Sequence, residues 1–149
     1  MIEIPSIRLS IDVDVEPSTA WAYLTEPDHV TEWFTDASPL GDVGSPYRLD
    51  FGEGSVVEGV VVTLEPGVRF VHSWAWADAE PRQETRVAWT VERRPGGGAR
   101  VTLVHDGWAE AGSDEAARDD HEAYWSGYLD DLADLLGEAP ATARESASE

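Results

Sequence analysis

His121-Glu122-Ala123-Tyr124-Trp125-Ser126-Gly127-Tyr128-Leu129-Asp130-Asp131-Leu132-Ala133-Asp134-Leu135-Leu136 is the stretch that decides how this chain folds. His121, Tyr124, Trp125, Tyr128, Leu129, Leu132, Leu135 and Leu136 recur at three-and-four spacing, which on a helix makes one apolar stripe. Asp119, Glu122, Asp130, Asp131 and Asp134 take the other face. Ser113-Asp114-Glu115 reads as the helix start, with acidic groups in the first turn, and Gly137 as its stop. Roughly 24 residues rising ~1.5 Å each span about 36 Å, enough to cross a whole sheet. Such a stripe must be buried against a second layer.

The residues before it supply that layer. Ile7, Leu9, Ile11, Val13 and Val15 alternate with polar residues as in a half-buried strand. Glu16-Pro17-Ser18-Thr19 opens a helix carrying Ala20, Trp21 and Leu24. Pro27 closes it and opens a second, with Val30, Trp33 and Phe34 on one face. Turn residues fill Pro39 to Pro46, and strands follow: Tyr47 to Phe51, Ser55 to Glu65, Val68 to Trp76, Thr85 to Glu92 and Arg100 to His105. Turns at Gly52-Glu53-Gly54, Glu65-Pro66-Gly67 and Pro95-Gly96-Gly97-Gly98 separate them, with an acidic loop from Ala77 to Arg82. The predicted architecture is α+β: a curved antiparallel six-stranded sheet, two short helices after the first strand, and the long C-terminal helix across the sheet. Residues 1–137 make one domain, and 138–149, without a large apolar residue, is expected to be a disordered acidic tail.

Composition narrows the chemistry. Thirty acidic residues against ten basic ones give a formal net charge of −20, which repels nucleic-acid phosphates and anionic membranes. All ten bases are Arg, so no lysine can form a Schiff base. Without Cys there is no disulfide, thiolate nucleophile or Cys-ligated metal. Met1-Ile2-Glu3-Ile4-Pro5 lacks the features of a signal peptide, and Val60-Val61-Val62 is too short to span a bilayer, so a cytoplasmic location is expected. No cofactor or metal is expected, and the chain is expected to be a monomer or homodimer.

A straight helix cannot touch a strongly curved sheet along its length, so a cavity is expected between them, lined by Phe51, Trp74, Trp76, Trp89, Leu103 and Trp125. Bent sheets carry β-bulges, each of which reverses the facing of the residues beyond it. Trp33, Phe34 and Tyr128 join the candidate ligand-binding residues from their own helices. His72 shares a face with Trp74, His105 with Leu103, and His121 lies on the edge of the helical stripe. These imidazoles read as hydrogen-bonded core or rim groups, or as acid–base groups facing an apolar space. Their spacing matches no metal motif. Trp21 reads as packing, His29 as surface, and Asp50 and Glu58 as strand carboxylates near the presumed mouth. No Gly-x-Ser-x-Gly nucleophile turn is present.

The order of several segments resembles the START-like (SRPBCC, helix-grip) superfamily, in the branch of the heat-shock-chaperone ATPase activator homologues. The matching segments are Val15-Glu16-Pro17 with Trp21 and Leu24, Pro27 with Trp33-Phe34, Gly59-Val60-Val61 to Leu64-Glu65-Pro66, and Phe70-Val71-His72-Ser73-Trp74. Val101 to His105 and Trp125 to Leu132 complete the set. Tyr124 stands before Trp125 where the family usually has Gly, and a phosphate-cradling Gly-rich loop is reduced to Gly52 and Gly54. The resemblance implies a cavity for a small hydrophobic or aromatic molecule. It leaves two alternatives open: a polyketide cyclase or dehydratase type of enzyme using His72, His105 or His121, and a chaperone-associated stress protein.

Overall fold

The computed structural model describes residues 4–79, 83–109, 111–112 and 115–137 in full, and 138–148 by backbone alone. Strand β1 (Ile7–Val13) leads into helices α1 (Pro17–Thr25) and α2 (Pro27–Trp33), each with its proline in the first turn. Proline belongs there because its fixed φ suits a helix and its missing N–H would have no helical partner anyway. Then come β2 (Asp36–Ala37), β3 (Pro46–Asp50), β4 (Val56–Glu65), β5 (Arg69–Trp76), β6 (Thr85–Arg93) and β7 (Ala99–Asp106), followed by α3 (Glu115–Ser148). The expected start at Ser113-Asp114 and the expected tail of 138–149 lie outside the fully described residues.

The strands form one antiparallel sheet in the order β1-β7-β6-β5-β4-β3-β2. It has seven strands where the sequence predicts six. The extra one, β2, pairs Asp36 with Asp50 and Ala37 with Leu49. Two residues are too few to show alternation, so no periodic signal announces it.

The expected bulge lies between Val61 and Thr63, where β4 slips by one residue against β5. Beside it the two strands approach unusually closely. A Cβ on Gly59 would sit 1.9 Å from the Ser73 carbonyl oxygen, so only glycine fits. Ser73 Oγ accepts the Val60 N–H at 2.9 Å, replacing a backbone ladder bond with a side chain. Bulge and glycine together bend the sheet, because an extra residue on one strand raises the local twist.

One core fills the concave side. Ile7, Leu103, Leu129, Leu132 and Leu136 are buried at the end where α3 lies beside β1. Helices α1 and α2 cap the opposite part: Trp21 meets Phe70 edge-on at 5.5 Å, and Trp33 meets Trp89 at 5.9 Å. Tyr124, counted in the predicted stripe, is corrected by the structure: it is 67% exposed.

Candidate functional site

Where α3 and the curled sheet separate, a half-open cavity of about 380 Å³ remains. Its wall is aromatic. Phe34, Phe51, Trp76, Trp74 and Trp125 form a closed circuit of neighbouring rings, with successive centroids 5.4, 5.4, 5.8, 5.2 and 5.2 Å apart. Tyr128 packs edge-on against Phe34 at 4.8 Å. The contacts are partly edge-to-face and partly tilted, and they join the rings into one continuous aromatic wall. The mouth is formed by Gly52, Glu53, Ser55 and Tyr124. Gly52, Glu53 and Gly54 all have positive φ (89°, 53° and 83°), so the mouth is a tight left-handed turn.

Of the residues expected to bind a ligand, Phe34, Phe51, Trp74, Trp76, His121, Trp125 and Tyr128 lie on this wall. Trp33, His72, Trp89, Leu103 and His105 do not. Trp33 belongs to α2, the other four to strands β5, β6 and β7, and all five are buried. Trp33 donates its indole N–H to the Tyr23 carbonyl at 2.8 Å, which ties it to the first helix.

His105 and His121 each have both ring nitrogens hydrogen-bonded, and His72 has one. His105 Nδ1 accepts the Trp125 indole N–H at 3.0 Å, so its proton sits on Nε2 and is donated to Thr85 Oγ1 at 2.7 Å. Thr85 passes its own proton toward the Trp74 carbonyl at 3.3 Å. His121 carries the opposite tautomer. Its Nε2 accepts the Trp76 indole N–H at 3.0 Å, and its Nδ1–H is donated to the Ala117 carbonyl at 2.7 Å. His72 Nδ1–H is donated to the Ser73 carbonyl at 2.9 Å.

Burial keeps all three neutral. Desolvation lowers His72 to about 4 against the opposing pull of the Ser73 carbonyl. Desolvation likewise pushes His105 well below the ordinary value, helped by His121 and His72 nearby. His121 is lowered by desolvation, with Ala117 and Asp120 opposing. Burial raises Tyr47, whose ring lies tilted against His72 at 4.6 Å, and also raises Tyr128. Two polar residues, Asp50 and Glu58, were expected near the mouth; Asp50 caps the mouth turn through its carboxylate and Gly52 N–H at 2.9 Å.

Sequence reasoning passed over Trp108, in the loop after β7. Its ring lies tilted against His105 at 4.3 Å and meets His121 at 4.9 Å, and its N–H is donated to the His105 carbonyl at 3.0 Å. Only its place two residues beyond the end of a strand could have marked it. Among the described residues no cluster of His, Asp and Glu could hold a metal ion, and no helix is long and apolar enough to cross a membrane.

The family model described as "Activator of Hsp90 ATPase homolog 1-like protein" matches residues 14–137, from α1 through strands β2 to β7 and into α3. The chain belongs to this family. No curated protein matches this AHSA1-like chain. Among solved structures it is similar to DynU16, a protein from the dynemicin biosynthetic locus, with 23% identity and a TM-score of 0.77 over 88% of this chain and 46% of that one. This chain thus spans less than half the length of DynU16. CalU16 from Micromonospora echinospora is 22% identical with a TM-score of 0.72, covering 96% of this chain and 82% of that one. The Aha1 dimer from Colwellia psychrerythraea is 24% identical with a TM-score of 0.73, covering 90% and 97%. At these identities the likeness is one of fold, the α+β helix grip.

Proposed function

We propose that this AHSA1-like protein binds a small hydrophobic or aromatic molecule in the cavity between the curled sheet and α3. One observation carries the reading: seven aromatic side chains line about 380 Å³ of space with an open mouth, within the usual size of small-molecule sites. Burying an apolar ligand there releases water from aromatic surface, and the sheet's own bend has already formed the space, so little ordering is required of the protein.

Catalysis by the histidines is the weaker reading. Both ring nitrogens of His105 and of His121 are already engaged, and protonating His121 Nε2 would set two N–H groups against each other. A general acid or base needs a nitrogen free to meet its substrate. A chaperone partner has no support in this chain beyond the family's descriptive name.

The test is a native mass spectrum of protein purified without denaturation, paired with a thermal-shift screen of neutral aromatic compounds. The reading expects a co-purifying small molecule or a saturable rise in Tm by mass action. Bare protein together with a flat screen would count against it.

A further inference from the structure

Glu53, at the mouth of the cavity, occupies a costly backbone position. Among the described residues it is the one non-glycine residue with positive φ, at 53°. An L side chain at such an angle crowds its own carbonyl, which is why glycine usually takes the place. Gly52 and Gly54 do so on either side, at 89° and 83°. The turn is firmly closed: the Asp50 carboxylate accepts the Gly52 N–H at 2.9 Å, the Ser55 carbonyl accepts the Phe51 N–H at 2.8 Å, and the Gly52 carbonyl accepts the Ser55 N–H at 2.9 Å. A Cβ on Gly52 or Gly54 would meet nothing within 4 Å, so the space around the turn is open. Strain kept at the rim of a pocket points to a role for the side chain held there.

Nothing in the cavity offsets that negative charge. No Arg is among its described lining residues, and desolvation keeps its one histidine, His121, neutral at pH 7. Seven of the lining residues are aromatic, three of them Trp, whose ring faces attract cations most strongly. A carboxylate or phosphate ligand would lose hydration here and gain no counter-charge. A cation gains both the rings and the carboxylate, and at a half-open mouth it keeps part of its water, which limits the desolvation cost. The space exceeds what an ammonium group alone would fill. An engineered cavity of roughly 150 Å³ holds one benzene, so about 380 Å³ has room for about two to three fused rings.

Resting on the binding function proposed above, we infer that the ligand is an aromatic monocation, with its ring body against the aromatic wall and its alkylammonium-type charge at the mouth beside Glu53. Three probes share a naphthyl ring and differ in charge: (1-naphthylmethyl)trimethylammonium, 1-naphthylacetamide and 1-naphthylacetate. Titration at neutral pH in about 0.15 M salt confines general attraction by the acidic surface to about 8 Å. The ammonium is expected to bind at least about tenfold more tightly than the acetate. Glu53→Gln removes the charge and should lower the ammonium-to-acetamide affinity ratio about threefold, the scale of one partly exposed ion pair. Glu53→Gly should lower it equally while keeping its Tm, since glycine suits the backbone angle. Asp134→Asn should leave the ratio unchanged, because this exposed residue lies ten positions beyond Tyr124, about 15 Å along α3. An acetate that binds as tightly as the ammonium overturns the inference. So does a ratio that neither Glu53 variant moves, or one that Asp134→Asn lowers as much. In each of those cases the acetamide still binds and the cavity reading stands. If no probe binds, both fall.

Discussion

Lowering the pH from 7 to 5 should cost this protein stability through its buried histidines, before most of its carboxylates titrate. His72 carries the clearest magnitude. An unfolded chain protonates His72 near 6.5, whereas the folded chain does so only at about 4, because burial disfavours the imidazolium. Between those values the unfolded state holds a proton that the folded state lacks. Stability therefore rises with pH in this window and is lost as pH falls through it. Each pH unit is worth about 1.4 kcal/mol, so His72 alone accounts for about 2 kcal/mol between pH 7 and 5 and about 3 kcal/mol once pH 4 is passed. His105 and His121 are lowered too and add in the same direction. Asp12, held below its usual range chiefly by the Arg100 hydrogen bond, contributes its loss only at lower pH.

Urea unfolding at pH 7, 6 and 5 measures this directly, with the midpoint converted at constant m. Against a native stability of roughly 5–15 kcal/mol, a loss of about 2 kcal/mol is easily resolved. The same series on His72→Phe removes the titrating group and keeps a ring beside Phe70, Trp74 and Tyr47. The variant's slope should be shallower by about 2 kcal/mol over the window. A flat profile in the unaltered protein, or one equally steep in the variant, would refute the reasoning.

Three further expectations can be checked alongside it. Gly59→Ala should destabilise by about 1–3 kcal/mol in urea, since its Cβ meets the Ser73 carbonyl, whereas Val60→Thr next to it, half exposed, should change little. Trp125→Phe leaves His105 Nδ1 without its donor and should cost about 1–3 kcal/mol; equal stability would deny that hydrogen bond. Nitrogen-15 spectra at pH 7 should show neutral His105 protonated on Nε2 and neutral His121 on Nδ1; a shared tautomer or an imidazolium would contradict the assigned network.

Much of the fold was legible because periodicity and proline punctuation act locally. Pro17 and Pro27 mark both short helices, and the alternation of Ile7, Leu9, Ile11 and Val13 marks the edge strand. Depth was not legible. Phe70, His72, Trp74 and Trp76 share a face of β5, yet only the last two reach the cavity, because α1 covers one end of the strand and nothing fills the other. Periodicity assigns a residue to a face and says nothing of what lies above it. The same limit explains Tyr124, which falls on the stripe but is exposed beside the cavity. Hydrogen-bond pairing across about twenty residues, as between His105 and Trp125, likewise exists only once the chain is folded.

The central claim is that the space under α3 is a binding site, and a titration with 1-aminoanthracene at neutral pH tests it most directly. Ser55 is exposed at the mouth, so Ser55→Trp places a large ring in the entrance without touching the core. The unaltered protein should bind one equivalent saturably, and Ser55→Trp, with its Tm unchanged, should bind at least about tenfold more weakly, since lost burial of about two ring carbons' worth of area suffices for that. Equal affinity in the two proteins, or no saturable binding in either, would contradict the account.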